Sequence, residues 1–194
     1  MEEDIPTSAR IRNAVGCSFF LCAALQAGIG IHEFPSILAH LNVVHNLILA
    51  GVYAVRIPST KNDPIGLVLS MAAALMPAIF ANSSEPVALP WILIGICGEA
   101  LSLWSLLTLG ERFGIAPADR GLVTGGPYRF VRHPMYLGEL LLRLSICAGQ
   151  PGELLLLPLV LAVQILRALR EERIIGGYVV YSQKVRWRLI PFFY

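Results

Sequence analysis

The chain has 194 residues, of which 56% are hydrophobic and only 14% charged, with a mean hydropathy of +0.66. Soluble domains carry roughly a quarter charged residues, so this composition excludes an ordinary soluble enzyme and points to a membrane protein. A net charge of +2 is too small and too clustered to argue for a nucleic-acid partner.

In chain order, apolar runs occupy about 13–31, 37–57, 64–81, 87–109, 134–149 and 153–169. Each is near the roughly 17 to 25 residues that a spanning helix needs. The expected fold is an all-α polytopic membrane helix bundle forming one domain, 1–194, with about six transmembrane helices. Four N-terminal helices lie within 1–109; a polar loop, a C-terminal helical hairpin and a cytoplasmic tail fill 110–194. The first run follows Glu2, Glu3 and Asp4 and has no small-residue cleavage site, so it is expected to remain as a helix. The four cysteines, Cys17, Cys22, Cys97 and Cys147, all lie inside apolar runs without metal-ligand spacing. No metal site is expected.

Polar residues interrupt these runs at few places. His40, Asn42, His45 and Asn46 on the second helix have no acidic ligands beside them and suit a hydrogen-bonded helix contact. Glu99 lies within the fourth run. Arg143 sits eight or nine residues into the fifth, roughly 12 to 14 Å deep by helical rise, where a charge needs a partner. Glu139, one turn back, and Glu99 are the candidates. They form either a structural ion pair between helices or, with Gln164, the polar wall of a substrate cavity. Gln164, Arg167 and Glu171 recur at i, i+3, i+7 and share one face of the last helix.

Basic residues are distributed as the positive-inside rule requires. With a cytoplasmic N-terminus, fourteen of the fifteen Lys and Arg residues fall in inside segments and the outside loops contain none. The sequence GPYRFVRHPMYLGE, residues 126–139, then lies on the same face as the C-terminal tail. Pro134 suits the first turn of a helix, which puts His133 near its N-cap, where free N–H groups and the helix dipole favour an anion. Arg129 and Arg132 reinforce that field, and Tyr128 and Tyr136 offer flat surfaces.

The run GLVTGGPYRFVRHPMYLGELL, a hairpin, RALREERI and the ending YSQKVRWRLIPFFY together resemble the isoprenylcysteine carboxyl methyltransferase family, in its bacterial branch. The likeness covers roughly residues 105–194. The wider superfamily includes phospholipid N-methyltransferases and, more distantly, membrane sterol reductases. The resemblance implies a multi-pass protein of a bacterial inner membrane that binds S-adenosyl-L-methionine in a cytoplasm-facing pocket. It implies cofactor roles for Tyr128, Arg132, His133, Tyr136, Gly138 and Glu172, catalytic roles for Arg167 and Glu171, and a lipophilic or amphipathic acceptor drawn from the membrane lipid phase. Two alternatives remain: an NADPH-dependent reductase of the sterol type, and a non-catalytic membrane protein or transporter with its polar centre at Glu99 and Arg143.

Overall fold

The computed structural model describes residues 7–33, 37–57, 65–66, 68–70, 87–114, 117–149 and 151–193. The fold is all-helical, with no β-strand among the described residues. We label the helices α1 (Thr7–Glu33), α2 (Ile37–Val55), α3 (Leu89–Leu109), α4 (Pro134–Gly149), α5 (Leu157–Ile174) and α6 (Tyr178–Lys184). Short 3-10 turns cover Gly110–Arg112, Gly126–Arg129 and Pro151–Leu156. Three helices begin where the sequence supplies proline. Pro90, Pro134 and Pro158 each occupy a first turn, where the missing N–H costs no helical hydrogen bond.

Helix α3 continued through Arg112 is long and apolar enough to cross a bilayer, and His40–Val55 forms a shorter apolar stretch. The run expected at 64–81 lies mostly outside the described residues. At 1.5 Å per residue, α4 and α5 span about 24 and 27 Å, somewhat less than a hydrocarbon core of about 30 Å. Large apolar side chains point outward along the helices, including Leu25, Leu47, Leu93, Leu107, Leu159 and Leu166. Such a coat suits contact with lipid tails.

Packing against lipid gives helices no hydrophobic gain from association, so close backbone approach carries more of the attraction. Glycine shapes two of the crossings. Gly16 of α1 lies under the Tyr53 ring of α2; a Cβ there would come within 1.9 Å of Cε1. Gly98 of α3 meets Gly138 of α4: a Cβ on Gly138 would lie 2.5 Å from the Gly98 carbonyl oxygen and 2.7 Å from Ser102 N. Ser102 and Ser105 are fully buried on α3, and Ser105 turns its hydroxyl to its own helix at Leu101 O, 2.6 Å away. The hairpin differs from the tight one expected. Pro151–Leu156 forms a 3-10 segment before α5 begins, and the helices meet through Cys147, Val160 and Val163.

Connections gather several helix ends at one end of the bundle. Asn13, near the start of α1, exchanges hydrogen bonds with Arg56 past the end of α2, at 2.6 and 3.0 Å. Ile57 N–H donates to Glu111 O at 2.7 Å, and Arg120 Nε donates to Ile57 O at 3.0 Å. Asp119 accepts from Gly176 N at 3.0 Å, which ties the loop after α3 to the exit of α5. The loop is thereby pinned on both sides.

The α3–α4 contact is testable. Gly138→Ala should lower the melting temperature in detergent, because the new methyl meets backbone and forces the helices apart at a cost of about 1 to 3 kcal/mol. Gly28→Ala, where a Cβ meets nothing within 4 Å, should be neutral or slightly stabilising through helix propensity. Equal melting temperatures for the two variants would rule out a tight α3–α4 crossing.

Candidate active site

The loop after α3, the start of α4, the end of α5 and α6 enclose an open cavity, with about 760 Å³ of empty space including its mouth. Its wall contains Tyr128, Arg132, His133, Tyr136, Arg167 and Glu171. Six residues singled out from sequence are thus brought to one cavity. The motif places the first four around the α4 start, and the helical repeat of α5 brings Arg167 and Glu171 to the same wall.

His133 holds the centre. Its backbone carbonyl accepts from Leu137 N–H at 3.2 Å, so it caps α4. The ring is stacked on Tyr136 with centroids 5.4 Å apart and on Tyr178 at 6.2 Å. Nε2 lies 3.2 Å from Glu172 Oε1 and 3.1 Å from Tyr178 Oη; Nδ1 lies 3.6 Å from Glu171 Oε2. Burial alone would lower the imidazole pKa, but hydrogen bonding and attraction to the two carboxylates prevail and raise it. The Tyr136 hydroxyl donates to Glu171 Oε1, and the Arg167 guanidinium lies 4.5 Å over the Tyr136 ring.

Other candidates fall elsewhere, each for a physical reason. Gly138, assigned to the cofactor side by resemblance, lies at the α3–α4 crossing, where its lack of a side chain permits close packing. Glu172 is off the cavity wall. It receives Arg188 Nε at 2.8 Å on Oε1 and Arg188 Nη2 at 3.1 Å on Oε2, with Arg132 Nη1 at 3.5 Å. Burial would raise the Glu172 pKa, but bonding to His133 and Arg188 brings it down to about 2. Arg132 also donates to the carbonyls of Val185 and Arg186, at 2.8 and 3.0 Å. The N–H groups of Arg132 and His133, just ahead of α4, donate to Trp187 O and Arg188 O at 2.9 and 3.0 Å. The tail's backbone is thereby paired with the approach to α4.

The expected substrate-cavity residues divide into two groups. Glu99 is buried and bonds His45 Nδ1 at 2.6 Å, linking α3 to α2. On the other side, Gln164 donates to Glu139 Oε2 and accepts from Arg167 Nη1 at 2.9 Å. Arg143 is buried on α4, one turn beyond Glu139.

Sequence reasoning missed Phe113, Arg112 and Arg120 on the loop side of the cavity and Tyr178 and Tyr181 on the opposite side. Burial, then repulsion from Arg56, lowers the Arg120 pKa to about 10, which leaves it cationic at neutral pH. Tyr181 donates to Tyr128 O at 2.6 Å. The i, i+3 spacing of the two tyrosines after Gly176 and Gly177 was the available signal; Gly177 takes the left-handed conformation (φ 75°) that turns the chain into α6.

Residues 85–177, which supply most of this cavity, match the phospholipid methyltransferase family, the family that includes isoprenylcysteine carboxyl methyltransferases. That match supports methyltransferase activity, membrane association and a lipid-type substrate. No curated protein matches the chain.

The His133–Glu172 contact predicts a pH dependence. A raised imidazole pKa stabilises fully below the ordinary value of 6.5 and loses its contribution as pH rises through the higher folded value. A depressed Glu172 pKa stabilises fully above 4.5 and loses its contribution as pH falls toward about 2. Thermal stability in detergent should therefore be highest between about pH 4.5 and 6.5, and His133→Gln should flatten the alkaline decline. An unchanged alkaline limb in that variant would show that another group titrates there.

Proposed function

We propose, from the match of residues 85–177 to the phospholipid methyltransferase family, that the protein transfers a methyl group from S-adenosyl-L-methionine to a lipophilic acceptor, with a carboxylate as in isoprenylcysteine the favoured acceptor group. The observation that carries this reading is the convergence of His133, Tyr136, Arg167 and Glu171 on one cavity inside the matched segment.

The residues present suit the cofactor. Its carboxylate would meet Arg112 and Arg120, two cations on the loop side. Its flat base would lie against the tyrosines, and Glu171 can accept hydrogen bonds from hydroxyl or amino groups. The cofactor, when bound, supplies an activated methyl group on a cationic sulfur.

What remains for the protein is to orient the acceptor and to exclude water. Arg167 is 5% exposed, lines the cavity and, among the described residues, its Nε finds no hydrogen-bond acceptor. A buried guanidinium edge of this kind can hold an anionic headgroup. A carboxylate acceptor is already ionised at neutral pH and needs no base. Holding two reactants in line away from solvent is then the main contribution to rate. The acceptor's apolar chain would leave toward the lipid-facing helices, which accounts for a polar cavity set against apolar runs.

Membrane orientation belongs to the same proposal. Six crossings with the cavity on the cytoplasmic side would leave every Lys and Arg outside the apolar runs on that side. The clustering of helix ends by Asn13–Arg56, Ile57–Glu111 and Asp119–Gly176 supports a common face. A membrane-impermeant thiol reagent applied outside intact cells should label a single cysteine at 151 but not one at 120, in a background lacking the native cysteines. The opposite pattern would invert the topology.

Calorimetric titration of the detergent-solubilised protein should show S-adenosylhomocysteine binding and no NADPH binding; the reverse would establish a reductase. Arg167→Ala should retain S-adenosylhomocysteine affinity and lose methyl transfer to lipophilic acids by about ten to a hundredfold, the equivalent of a lost charge-assisted hydrogen bond. Unchanged turnover would remove Arg167 from the acceptor's site.

A further inference from the structure

Three side chains from two helices form a continuous hydrogen-bonded chain that ends at the cavity. Glu139 on α4 accepts from Gln164 Nε2 on α5. Gln164 Oε1 accepts from Arg167 Nη1 at 2.9 Å. Gln164 is 2% exposed and Arg167 5% exposed. Only Arg167 of the three is on the cavity wall.

Each member fixes the next. A primary amide can present its oxygen or its nitrogen to a neighbour, and rotation by a half turn exchanges them. A guanidinium only donates, so it requires the oxygen of Gln164. A carboxylate only accepts, so it requires the amide nitrogen. Glu139 on one side and Arg167 on the other therefore select a single amide orientation. The Tyr136 ring, 4.5 Å from Arg167 Cζ, supports the guanidinium from another direction, and the same ring carries the hydroxyl that bonds Glu171. The guanidinium is held by one nitrogen and by its flat face, while its Nε has no acceptor among the described residues.

We propose that Glu139 and Gln164 are positioning residues that lock the Arg167 guanidinium for the anionic headgroup of a lipophilic acceptor, acting from outside the cavity. The inference rests on the methyltransferase reading of this cavity and extends it to two residues that touch neither cofactor nor acceptor. A long cationic side chain on its own samples many rotamers, and ordering it only when the acceptor arrives would reduce affinity. With the chain in place that ordering is already present in the fold. The chain also crosses from α4 to α5, which meet further through a small apolar cluster around Cys147 and through Tyr136 against Arg167 and Glu171. Acceptor recognition is therefore coupled to how those helices are set against each other.

The polarity of the chain supplies the test. Gln164→Glu removes the amide donor to Glu139 and sets two carboxyl groups against each other, which repel unless they share a proton, while Glu139→Gln retains an acceptor for the Gln164 amide. The double variant Glu139→Gln/Gln164→Glu restores a complete chain with the amide and carboxyl exchanged. The probe is dodecanoate, a lipophilic carboxylate, titrated against purified protein in non-ionic detergent, with S-adenosylhomocysteine affinity measured on the same samples. Gln164→Glu should weaken dodecanoate binding about ten to a hundredfold, as should Arg167→Ala. It should leave S-adenosylhomocysteine affinity within about twofold. Glu139→Gln should have a small effect, and the double variant should recover dodecanoate affinity to within a few-fold of the unaltered protein.

Failure of the double variant to recover, with S-adenosylhomocysteine binding intact, overturns the chain as a positioning device. So does unchanged dodecanoate affinity in Gln164→Glu, and so does an unaltered protein that shows no saturable dodecanoate binding. Absence of S-adenosylhomocysteine binding by the unaltered protein is a separate result: it overturns the methyltransferase reading.

Discussion

The cavity depends on Glu172. This one carboxylate receives two nitrogens of Arg188, lies at hydrogen-bond distance from His133 and Tyr178, and meets Arg132 at 3.5 Å. It joins the exit of α5, the start of α4, the first residue of α6 and the tail. Around it the tail's backbone pairs with the α4 approach through Trp187 and Arg188, and Val131 and Trp187 form a single parallel bridge. Four cationic or donor groups converge on a carboxylate that is only 12% exposed, a low-dielectric setting in which pairing opposes the cost of burial.

Adjacent glutamates on one helix consequently do different work. Glu171 and Glu172 lie about 100° apart around α5, so Glu171 faces the cavity and bonds Tyr136 while Glu172 faces the tail. Both reach His133, one at each ring nitrogen. The imidazole is thereby fixed in its plane, stacked between Tyr136 and Tyr178, and becomes a rigid part of the wall. The end of the chain therefore helps to shape the cavity.

Small residues set where those helix ends arrive. Gly98 and Gly138 let α3 and α4 approach until backbone touches backbone, and Gly16 leaves room on α1 for the Tyr53 ring of α2. Tyr53 in turn contacts Phe113 on the cavity loop, with ring centroids 6.1 Å apart. The packing of α1 on α2 and the shape of the cavity are connected through these contacts, because a shift of α1 against α2 would be felt at Phe113.

Much of the architecture was legible in the sequence. Apolar runs located α2, α3 and α4 to within a few residues, because an apolar stretch without helix breakers folds as one helix, and Pro134 marked the start of α4. The run 153–169 misplaced α5, because apolarity alone does not separate the 3-10 segment at Pro151–Leu156 from the helix that follows. In the site, Tyr128, Arg132, His133, Tyr136, Arg167 and Glu171 could be grouped because motif spacing and helical repeat act locally. Tertiary structure alone decided which carboxylate of the Glu pair faces the cavity, that Gly138 is a packing glycine, that Glu99 bonds His45, and that tail carbonyls take the N–H groups of Arg132 and His133. Each of these depends on a partner distant in sequence. A periodic pattern specifies which residues share a helix face, but the group that each face meets is fixed only when the helices pack.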